Sequence, residues 1–534
     1  MVYHLERYLP IFSYRYFQTK GIDAKNNYEA FYPNSTWTGD DGFNVSNASV
    51  KEYGIIANNG YIHAVDRVVE PLETIYTELK NKEKYSTFLD LYDSFGVYVA
   101  DDELSKSYAK AYGVDTLYQY QHGGLPNIAC EWPTSSYLNF TALTALSYSI
   151  FAPSNTAINS FFDSFWKIGG YSSMQEVDAL ALNYFLYQFI YGGSMLFPEE
   201  LGDDELKNLA GSSLNINPAA LNEKTMCVNG ALYGMDEIKE PSTFASVIGP
   251  LFQYKSARSF LYALLGSSLF SSYVSDLSKY IVLVPTAEQF EASGIRTVYS
   301  TQGLEAEGDD GWAEISNTAK QNIVYLHSAS ISSEQSSELP ERGTRVIPTE
   351  STWNYWFVKD GNITCSSTFN QQLNPQFNGT VFTPFTKLKN GSNGSTYSFD
   401  AEQLFAAESG DLAYNIAICA DHNYPYYCFA QLLREANLIS NQIMMNLFGK
   451  GRFVAFIPTN DAIKRALASN KIPGAIDASF DAEGKLSGTF DAKELANYLN
   501  SYFITAAQNV IPSYPYIGSD FKSGRYWSER VVQT

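Results

Sequence analysis

Two sequence motifs recur along this chain at long spacing, and they limit what the chain can fold into. One motif reads NGYIHAVDRVVEP at residues 59–71 and NGALYGMDEIKEP at residues 229–241. Both copies keep the Asn-Gly pair, an Asp six residues after the Gly, and a final Glu-Pro. Self-similarity with such a long period indicates that one structural unit is repeated along the chain.

The second motif occurs three times, and each copy is an apolar run followed by Pro and then Ser or Thr. The copies are YSIFAPSNTAI at residues 148–158, YIVLVPTAEQF at 280–290 and RFVAFIPTNDAI at 452–463. Apolar, β-branched and aromatic residues predict a buried strand, which the proline ends because it cannot donate a hydrogen bond to the sheet. The hydroxyl residue after it is placed to cap a helix. The motif therefore predicts a strand that leads directly into a helix.

The first motif predicts a β-hairpin whose turn is Asn-Gly, since glycine adopts the positive φ of a tight turn. Apolar residues at helical spacing follow each Glu-Pro and predict two amphipathic helices before the next strand-Pro motif. The third repeat has no clear Asn-Gly hairpin, and residues 394–405 are interpreted as its degenerate final strand. The segment KNGSNGST at residues 389–396 is interpreted as an exposed, turn-rich loop.

These signals divide the chain into four segments. Two complete repeats are predicted at residues 71–241 and 242–412, the second of them divergent. Residues 1–70 contain the end of one repeat, and residues 413–534 contain the beginning of another. We therefore expect sequence outside this chain to complete both partial repeats.

The two motifs resemble those of the fasciclin domain family. That family has a T-V-F-A-P-[ST]-N-x-A strand-to-helix motif and ends on N-G-x-I-H-x-I-D-x-V-L-x-P. The resemblance extends over most of the chain and implies an α+β fold, in which tandem domains each consist of a small β-sandwich or wedge with packed helices. The overall organisation is similar to that of multi-domain fasciclin-like surface lipoproteins of Gram-negative bacteria.

The resemblance also implies which residues have a structural or interaction role. They are Phe151, Pro153, Asn155, Pro285, Pro458, Asn460, Gly60, His63, Asp66, Gly230 and Asp236. The copies differ at some of these positions: His63 corresponds to Tyr233, and Ala287 stands where two other copies have Asn. A required catalytic base would not be replaced in this way. We therefore favour a core or edge histidine over a ligand contact at position 63.

No sequence pattern of an active site, a cofactor site or a metal site is present. The five histidines have no HxxxH or HxxE spacing, and the five cysteines have no CxxC spacing. Asp66 and Asp236 are predicted to fix the hairpin or to cap the next helix rather than to bind metal. A non-enzymatic protein without a cofactor is expected, with a hydrolase as the weakest alternative.

Charge excludes one class of partner. The chain has 57 acidic and 36 basic side chains, for a net charge of −21. Such a polyanion repels phosphate backbones and anionic membrane surfaces, so nucleic acid is not expected as a partner. The chain begins without the apolar run of a signal peptide, so we expect any membrane attachment to come through an anchor absent from this sequence.

The aromatic residues allow two interpretations. Clusters at residues 14–17, 118–120, 353–356 and 424–427 either fill cores or present ring faces on which sugars stack. Under the second interpretation, Trp353 and Trp356 are the residues that stack on sugars.

The sequence thus predicts a non-catalytic adhesion or scaffold protein of the cell surface or extracellular space. Its expected partners are surface or matrix proteins, and an outer-membrane anchor is expected. The alternative is a glycan-binding component of a bacterial polysaccharide-uptake system. Exposed aromatic platforms would favour the alternative, and an exposed apolar patch would favour adhesion.

Overall fold

The computed structural model describes residues 9–129, 147–202, 205–214, 216–351, 354–371, 378–408, 424–439, 453–505, 520–523 and 530–531. The chain forms two compact units. The first comprises Met1–Ala245 with Phe252–Lys255, and the second comprises Ser246–Leu251 with Ser256–Thr534. The four segments predicted from the motifs stay a prediction.

Helices are short throughout the described residues. Up to residue 245 the α-helices are α1 (Tyr14–Lys20), α2 (Ala24–Phe31), α3 (Ile75–Lys80), α4 (Ser86–Asp93), α5 (Asp102–Leu104), α6 (Lys110–Tyr112), α7 (Asn155–Phe161), α8 (Ala179–Tyr187) and α9 (Ser242–Ala245). Further along the chain they are α10 (Gly249–Gln253), α11 (Arg258–Gly266), α12 (Phe270–Val274), α13 (Ala287–Ala292), α14 (Asn317–Leu326), α15 (Ser366–Gln371), α16 (Tyr427–Glu435), α17 (Asn460–Ala468) and α18 (Ala492–Leu499). Single 3₁₀ turns lie at Glu83–Tyr85, Met174–Glu176, Pro198–Gly202, Pro218–Ala220, Lys255–Ala257 and Asn500–Tyr502, and π-helical turns at Ser105–Ala109 and Phe162–Trp166.

The strands are interspersed with these helices along the chain. The first ten are β1 (Ile11–Phe12), β2 (Asn44–Val45), β3 (Ala48–Ala57), β4 (Gly60–Val65), β5 (Gly96–Ala100), β6 (Tyr118–His122), β7 (Tyr148–Pro153), β8 (Ile190–Gly192), β9 (Leu221–Cys227) and β10 (Gly230–Met235). The next ten are β11 (Lys279–Leu283), β12 (Ile295–Val298), β13 (Gly303–Gly308), β14 (Gly311–Glu314), β15 (Ser328–Ile331), β16 (Thr344–Pro348), β17 (Tyr355–Lys359), β18 (Asn362–Cys365), β19 (Thr383–Gly391) and β20 (Gly394–Phe399). The last six are β21 (Phe453–Ala455), β22 (Ala475–Phe480), β23 (Leu486–Phe490), β24 (Phe503–Thr505), β25 (Asp520–Ser523) and β26 (Arg530–Val531). Because helices and strands both build the chain, the structure is consistent with the α+β class.

The same strand arrangement occurs in both units. In the first unit the sheet order is β8-β7-β10-β9, and in the second a seven-stranded sheet runs β15-β11-β20-β19-β18-β17-β16. In each sheet the strand of the strand-Pro motif pairs in parallel with the strand that begins at the hairpin glycine. The pairs are β7 with β10 and β11 with β20. The other neighbour of β7 is β8 and that of β11 is β15, and both are antiparallel. The two motifs therefore lie side by side as the second and third strands of each sheet.

Packing on these sheets explains the high aromatic content. In the first unit Phe161, Trp166 and Phe185 are buried against one another and against Phe244. In the second unit a core forms around the sheet strands and includes Trp356. A separate core packs helices α16, α17 and α18 together, with Phe429 and Leu495 fully buried. Aromatic side chains contribute large buried areas, and this burial stabilises each unit.

The interpretation of residues 389–396 as an exposed loop is wrong. Strand β19 ends at Gly391 and strand β20 begins at Gly394, so this segment forms a hairpin turn. Residues 393–396 are buried, because β20 lies between β11 and β19 in the sheet. The interpretation of residues 394–405 as a degenerate final strand is correct for the part that forms β20.

Candidate functional site

The hairpin glycine allows the two motif strands to approach each other. Gly230 has φ 140° and Gly394 has φ 147°, a region that favours glycine. Gly230 lies opposite Tyr148 across the parallel pair, and Gly394 lies opposite Tyr280. A Cβ atom at either glycine would overlap the carbonyl oxygen of that tyrosine. Gly230 is therefore a structural residue, required by the backbone of the neighbouring strand.

The asparagine before each of these glycines ties the hairpin to the helical part of its repeat. The Oδ1 atom of Asn229 accepts a hydrogen bond from the Ile75 amide at 2.9 Å, and its Nδ2 donates to the Ile128 carbonyl at 2.8 Å. In the second unit Asn393 accepts from the Val247 amide at 2.8 Å and donates to the Tyr273 carbonyl at 2.8 Å. Both side chains are buried. This role was missed in the sequence, although the Asn-Gly pair itself was recognised.

The strand-Pro motif makes one backbone hydrogen bond in the same way in all three copies. The residue two positions before the proline donates its amide to the carbonyl of the residue that immediately precedes the antiparallel neighbour strand. The three bonds are Phe151 to Phe189 at 2.9 Å, Leu283 to His327 at 2.8 Å, and Phe456 to Tyr502 at 3.0 Å. Pro153, Pro285 and Pro458 follow these positions, as predicted, where the strands give way to helices α7, α13 and α17.

The hydroxyl residue after each proline occupies the N-cap position. Ser154 accepts a hydrogen bond from the Ala157 amide, and Thr286 forms a complete capping box with Gln289. Thr459 has the extended backbone of an N-cap residue but makes no side-chain cap bond. The predicted caps are therefore confirmed in two copies, while the third copy has only the backbone conformation.

Asn155 and Asn460 fix the start of an earlier helix. Asn155 accepts from the Thr87 amide at 2.9 Å and donates to the Glu83 carbonyl at 2.8 Å, at the beginning of α4. Asn460 accepts from the Cys428 amide at 2.9 Å, at the beginning of α16. Both residues thus connect two helices within a repeat. These contacts are structural.

The two motif aspartates also make local contacts. The carboxylate of Asp66 accepts a hydrogen bond from the Ser49 amide at 2.8 Å, which closes the base of the β3–β4 hairpin. Burial opposes ionisation of Asp66, but this bond and the neighbouring Arg67 hold its pKa below the usual value. The Lys84 ammonium lies 2.8 Å from Asp236 and likewise lowers the pKa of that carboxylate.

Strand β4 differs from its counterparts in exposure. Every residue of β4 is exposed, whereas almost every residue of β10 and β20 is buried. Within the described residues β4 pairs only with β3. His63 accepts a hydrogen bond from the Gly54 amide and lies edge-on to Phe43. We call β3 and β4 the open hairpin, because no strand among the described residues lies beside β4 as β7 lies beside β10.

The structure contradicts the stacking role predicted for Trp356. Its side chain is fully buried in the core of the second unit, and Nε1 donates to the Leu326 carbonyl at 2.9 Å. A ring enclosed in this way offers no face to a sugar. Trp353 lies outside the described residues.

An exposed aromatic surface instead lies on the β5–β6 hairpin. The antiparallel register places Tyr98 opposite Tyr120, and Ala100 opposite Tyr118, so the three tyrosines share one face of the hairpin. Tyr98 is 75% exposed and Tyr118 is 59% exposed. The rings of Tyr98 and Tyr120 have centroids 5.0 Å apart and are tilted by 45°. We call Tyr98, Tyr118 and Tyr120 the tyrosine face.

A buried polar cluster anchors the tyrosine face to the first unit. His122, at the end of β6, is buried with its Nε2 atom 3.1 Å from Asp93 Oδ1. The Tyr76 hydroxyl donates to the other oxygen of Asp93 at 2.9 Å. Burial lowers the pKa of His122, while burial and Asp93 raise the pKa of Tyr76 to about 12. The cluster therefore fixes the hairpin base with a neutral imidazole and a neutral phenol.

A groove of about 860 Å³ lies in the second unit. It lies between β16 and β19, and its charged side chains include Glu338, Arg345 and Lys387. Lys387 pairs with Glu338 at 2.7 Å, and Arg345 donates to the Ser336 and Glu338 carbonyls. Both cations are thus engaged by neighbouring groups of the groove.

The described residues offer no constellation typical of metal chemistry. No group of three or more His, Cys, Asp and Glu side chains in that part of the chain is placed to hold a metal ion. Cys227, Cys365 and Cys428 are buried free thiols there. In the same ranges no helix has the length and the apolar character to cross a membrane.

No protein-family model matches the sequence, and none of the curated proteins matches it. Among solved structures, the chain is similar to a FAS1 domain pair from the insect cell adhesion molecule fasciclin I. The sequence identity is 12%, and the match covers 49% of this chain and 89% of that chain. The TM-score of 0.20 makes this a weak likeness that carries no argument by itself.

Proposed function

We propose that this protein is a non-catalytic adhesion or scaffold protein of the cell surface, built from fasciclin-like modules. In this proposal it contacts partner proteins through the tyrosine face. The two recurring motifs support the module type, and the single observation that supports the contact surface is the exposure of three tyrosines on one side of the β5–β6 hairpin. Tyrosine is enriched at protein interfaces because it combines a rigid apolar ring with a polar hydroxyl.

The tyrosine face has the properties of a contact surface rather than of a core. Its base is held by the hydrogen bonds of His122 and Asp93, so the strands are fixed while the rings stay in solvent. Val97 and Val99, on the opposite face of β5, are also exposed. An apolar surface of this kind typically contacts another macromolecule.

A glycan ligand is the second candidate, because exposed tyrosine rings can also stack on sugars. The 45° tilt between Tyr98 and Tyr120 argues against a flat aromatic platform and favours a protein partner. Location outside the cell and anchoring at a membrane belong to the same proposal. They are supported by the resemblance of the motifs to surface lipoproteins.

The test uses beads that carry the full chain and cells of the organism that produces it. We expect wild-type beads to bind these cells, and the Tyr98→Ser, Tyr118→Ser double variant to bind about tenfold less. A Tyr14→Ser, Tyr299→Ser double variant is the matched control, since both tyrosines are about half exposed on other surfaces. It should bind as the wild type does.

Treatment of the cells separates the two candidates. Loss of binding after protease treatment supports a protein partner, and loss after periodate oxidation alone supports a glycan. Binding that is equal for wild-type and tyrosine-face variants would overturn the assignment of this surface.

A further inference from the structure

We propose that the groove of the second unit binds a saccharide that carries one carboxylate group, and that Arg345 holds this carboxylate. The site is separate from the tyrosine face, so this proposal does not depend on the function proposed above. It rests on the geometry of one guanidinium group, on the charges around that group, and on the mixed lining of the groove.

The guanidinium of Arg345 is held in place by its own chain. Its Nη1 atom donates to the Ser336 carbonyl at 2.8 Å and to the Glu338 carbonyl at 3.1 Å. The segment that supplies both carbonyls is itself fixed, because the Leu339 amide donates to the Tyr397 hydroxyl at 3.0 Å. The guanidinium is therefore oriented before a ligand arrives, and this reduces the entropy that is lost on binding.

The other nitrogen atoms of this guanidinium are accessible. Within the described residues, Nε and Nη2 of Arg345 have no hydrogen-bond partner, and neither atom is enclosed by protein. Together Nε and Nη2 form one edge of the planar guanidinium fork, and arginine binds carboxylates with two parallel N–H donors of this kind. A carboxylate that enters the groove can therefore be bound at this edge.

The charges of the groove leave Arg345 uncompensated. No ion pair in the described part of the chain includes Arg345, whereas Lys387 lies 2.7 Å from Glu338. Glu338, with a smaller contribution from Glu341, holds the pKa of Lys387 above its usual value. Burial lowers the pKa of Arg345, as expected for a cation that loses solvent without gaining an anion. A bound carboxylate would supply the missing negative charge.

The rest of the lining suits a ligand with both apolar and hydroxyl surfaces. The rings of Phe385 and Tyr397 meet edge to face, with centroids 5.4 Å apart and an angle of 88° between their planes. Sugar rings present C–H groups to apolar side chains and hydroxyl groups to polar ones. The polar side chains of the lining include Ser336, Glu341, Thr344 and Thr386. The volume of about 860 Å³ is typical of small-molecule sites.

Charge also limits the number of carboxylates on the ligand. Two acidic side chains, Glu338 and Glu341, line the groove, and the chain as a whole has a net charge of −21. Both would repel a ligand that carries many carboxylates. A saccharide with one acidic sugar and otherwise neutral rings pairs with Arg345 and avoids this repulsion.

The test is isothermal titration calorimetry of the full chain with two matched disaccharides. Cellobiouronic acid carries one carboxylate, and cellobiose has a hydroxymethyl group in its place. We expect cellobiouronic acid to bind with a Kd below about 1 mM, and cellobiose to bind at least about tenfold more weakly. Acetate, which has the carboxylate but no sugar ring, should also bind at least about tenfold more weakly. These comparisons use the wild-type chain and need no variant to fold.

Variants locate the site. Arg345→Gln should weaken the binding of cellobiouronic acid about tenfold or more. Arg342→Gln is the matched control, since it removes the same charge at an exposed arginine that does not line the groove. The Tyr98→Ser, Tyr118→Ser double variant should bind as the wild type does, which separates this site from the tyrosine face. Cellobiouronic acid should slow amide exchange in residues 336–347 and leave β5 and β6 unchanged.

Four outcomes would overturn the proposal. One is the absence of binding by the wild type at cellobiouronic acid concentrations up to about 10 mM. Equal affinity for the two disaccharides would contradict the role of the carboxylate, and acetate that binds as tightly as cellobiouronic acid would contradict the saccharide. Equal loss of binding in Arg345→Gln and Arg342→Gln would show that general charge, rather than the oriented guanidinium, attracts the ligand.

Discussion

Gly60 and Gly230 occupy the same place in two copies of one motif, yet their surroundings differ. Gly230 lies against the carbonyl of Tyr148, whereas nothing lies within 4 Å of a Cβ atom built on Gly60. The sequence predicts a hairpin with an Asn-Gly turn at both positions. It cannot show the difference in packing, because that depends on whether a second strand, distant in sequence, is present.

This contrast gives a prediction at the residue scale. Gly230→Ala should destabilise the first unit by roughly 3 kcal/mol, since the new methyl group overlaps backbone and φ is positive. Hydrogen exchange read by mass spectrometry should show faster exchange in β7 and β10. Gly60→Ala in dilute protein is the control and should change stability by less than about 0.5 kcal/mol. Equal effects of the two substitutions would contradict the packing described for Gly230.

His327 predicts how stability depends on pH. Its Nδ1 atom lies 2.8 Å from the Ile323 carbonyl, and its Nε2 accepts from the Phe405 amide at 3.1 Å, which requires a neutral ring. Burial lowers its pKa to about 4. The unfolded chain therefore binds more protons than the folded chain between pH 6.5 and 4. The second unit should lose roughly 3 kcal/mol over that interval as the pH falls.

Urea denaturation followed at several pH values measures this loss. His327→Gln retains an acceptor for the Phe405 amide but does not titrate, so its stability should fall less between pH 6.5 and 4. An identical pH dependence in the wild type and in this variant would show that other groups account for the loss.

At the scale of elements, features that depend on neighbouring residues could be predicted from the sequence, whereas features that depend on distant contacts could not. Proline and hydroxyl residues are local signals, and the ends of β7 and the cap of α13 were correctly expected from them. Whether Trp356 is buried or exposed was left open, because its burial depends on how the strands of the sheet pair. The contact of His122 with Asp93 on α4 was missed for the same reason.

The link between helices α4 and α7 can be tested directly. Asn155→Ala removes the acceptor for the Thr87 amide and the donor to the Glu83 carbonyl. We expect a loss of about 1 to 2 kcal/mol and faster amide exchange in the first turn of α4. Asn159→Ala, an exposed position on the same helix α7, is the matched control and should have little effect. Unchanged exchange in α4 would contradict a structural role for Asn155.

At the scale of the whole molecule, the repeated topology gives the main organisation of both units, and the net charge sets their behaviour in solution. Recognition of the motifs was sufficient to predict that strands and helices alternate. It was not sufficient to locate the tyrosine face, since whether the rings at residues 118–120 are buried or exposed is decided by the fold around them. The Asn-Gly pair of β20 was overlooked because a second Asn-Gly stands three residues before it.

The charge of −21 predicts that copies of this chain repel one another at low salt. The screening length falls from about 10 Å at 0.1 M to about 3 Å at 1 M salt, so added salt should weaken this repulsion. The concentration dependence of the sedimentation coefficient should therefore become weaker over this range. A concentration dependence that does not change with salt would contradict this expectation.

The exposed Asn-Gly turn of the open hairpin has a chemical consequence. An asparagine before glycine is deamidated when the backbone nitrogen of the glycine attacks the side-chain carbonyl carbon and ammonia leaves. This reaction needs a side-chain amide that is not held by hydrogen bonds and a backbone that can bend. Asn229 and Asn393 are buried with both amide atoms bonded, so they should resist the reaction, whereas Asn59 is exposed. In stored protein, peptide mapping should therefore find deamidation at Asn59 before Asn229 and Asn393. Each such event would add a negative charge at the start of β4.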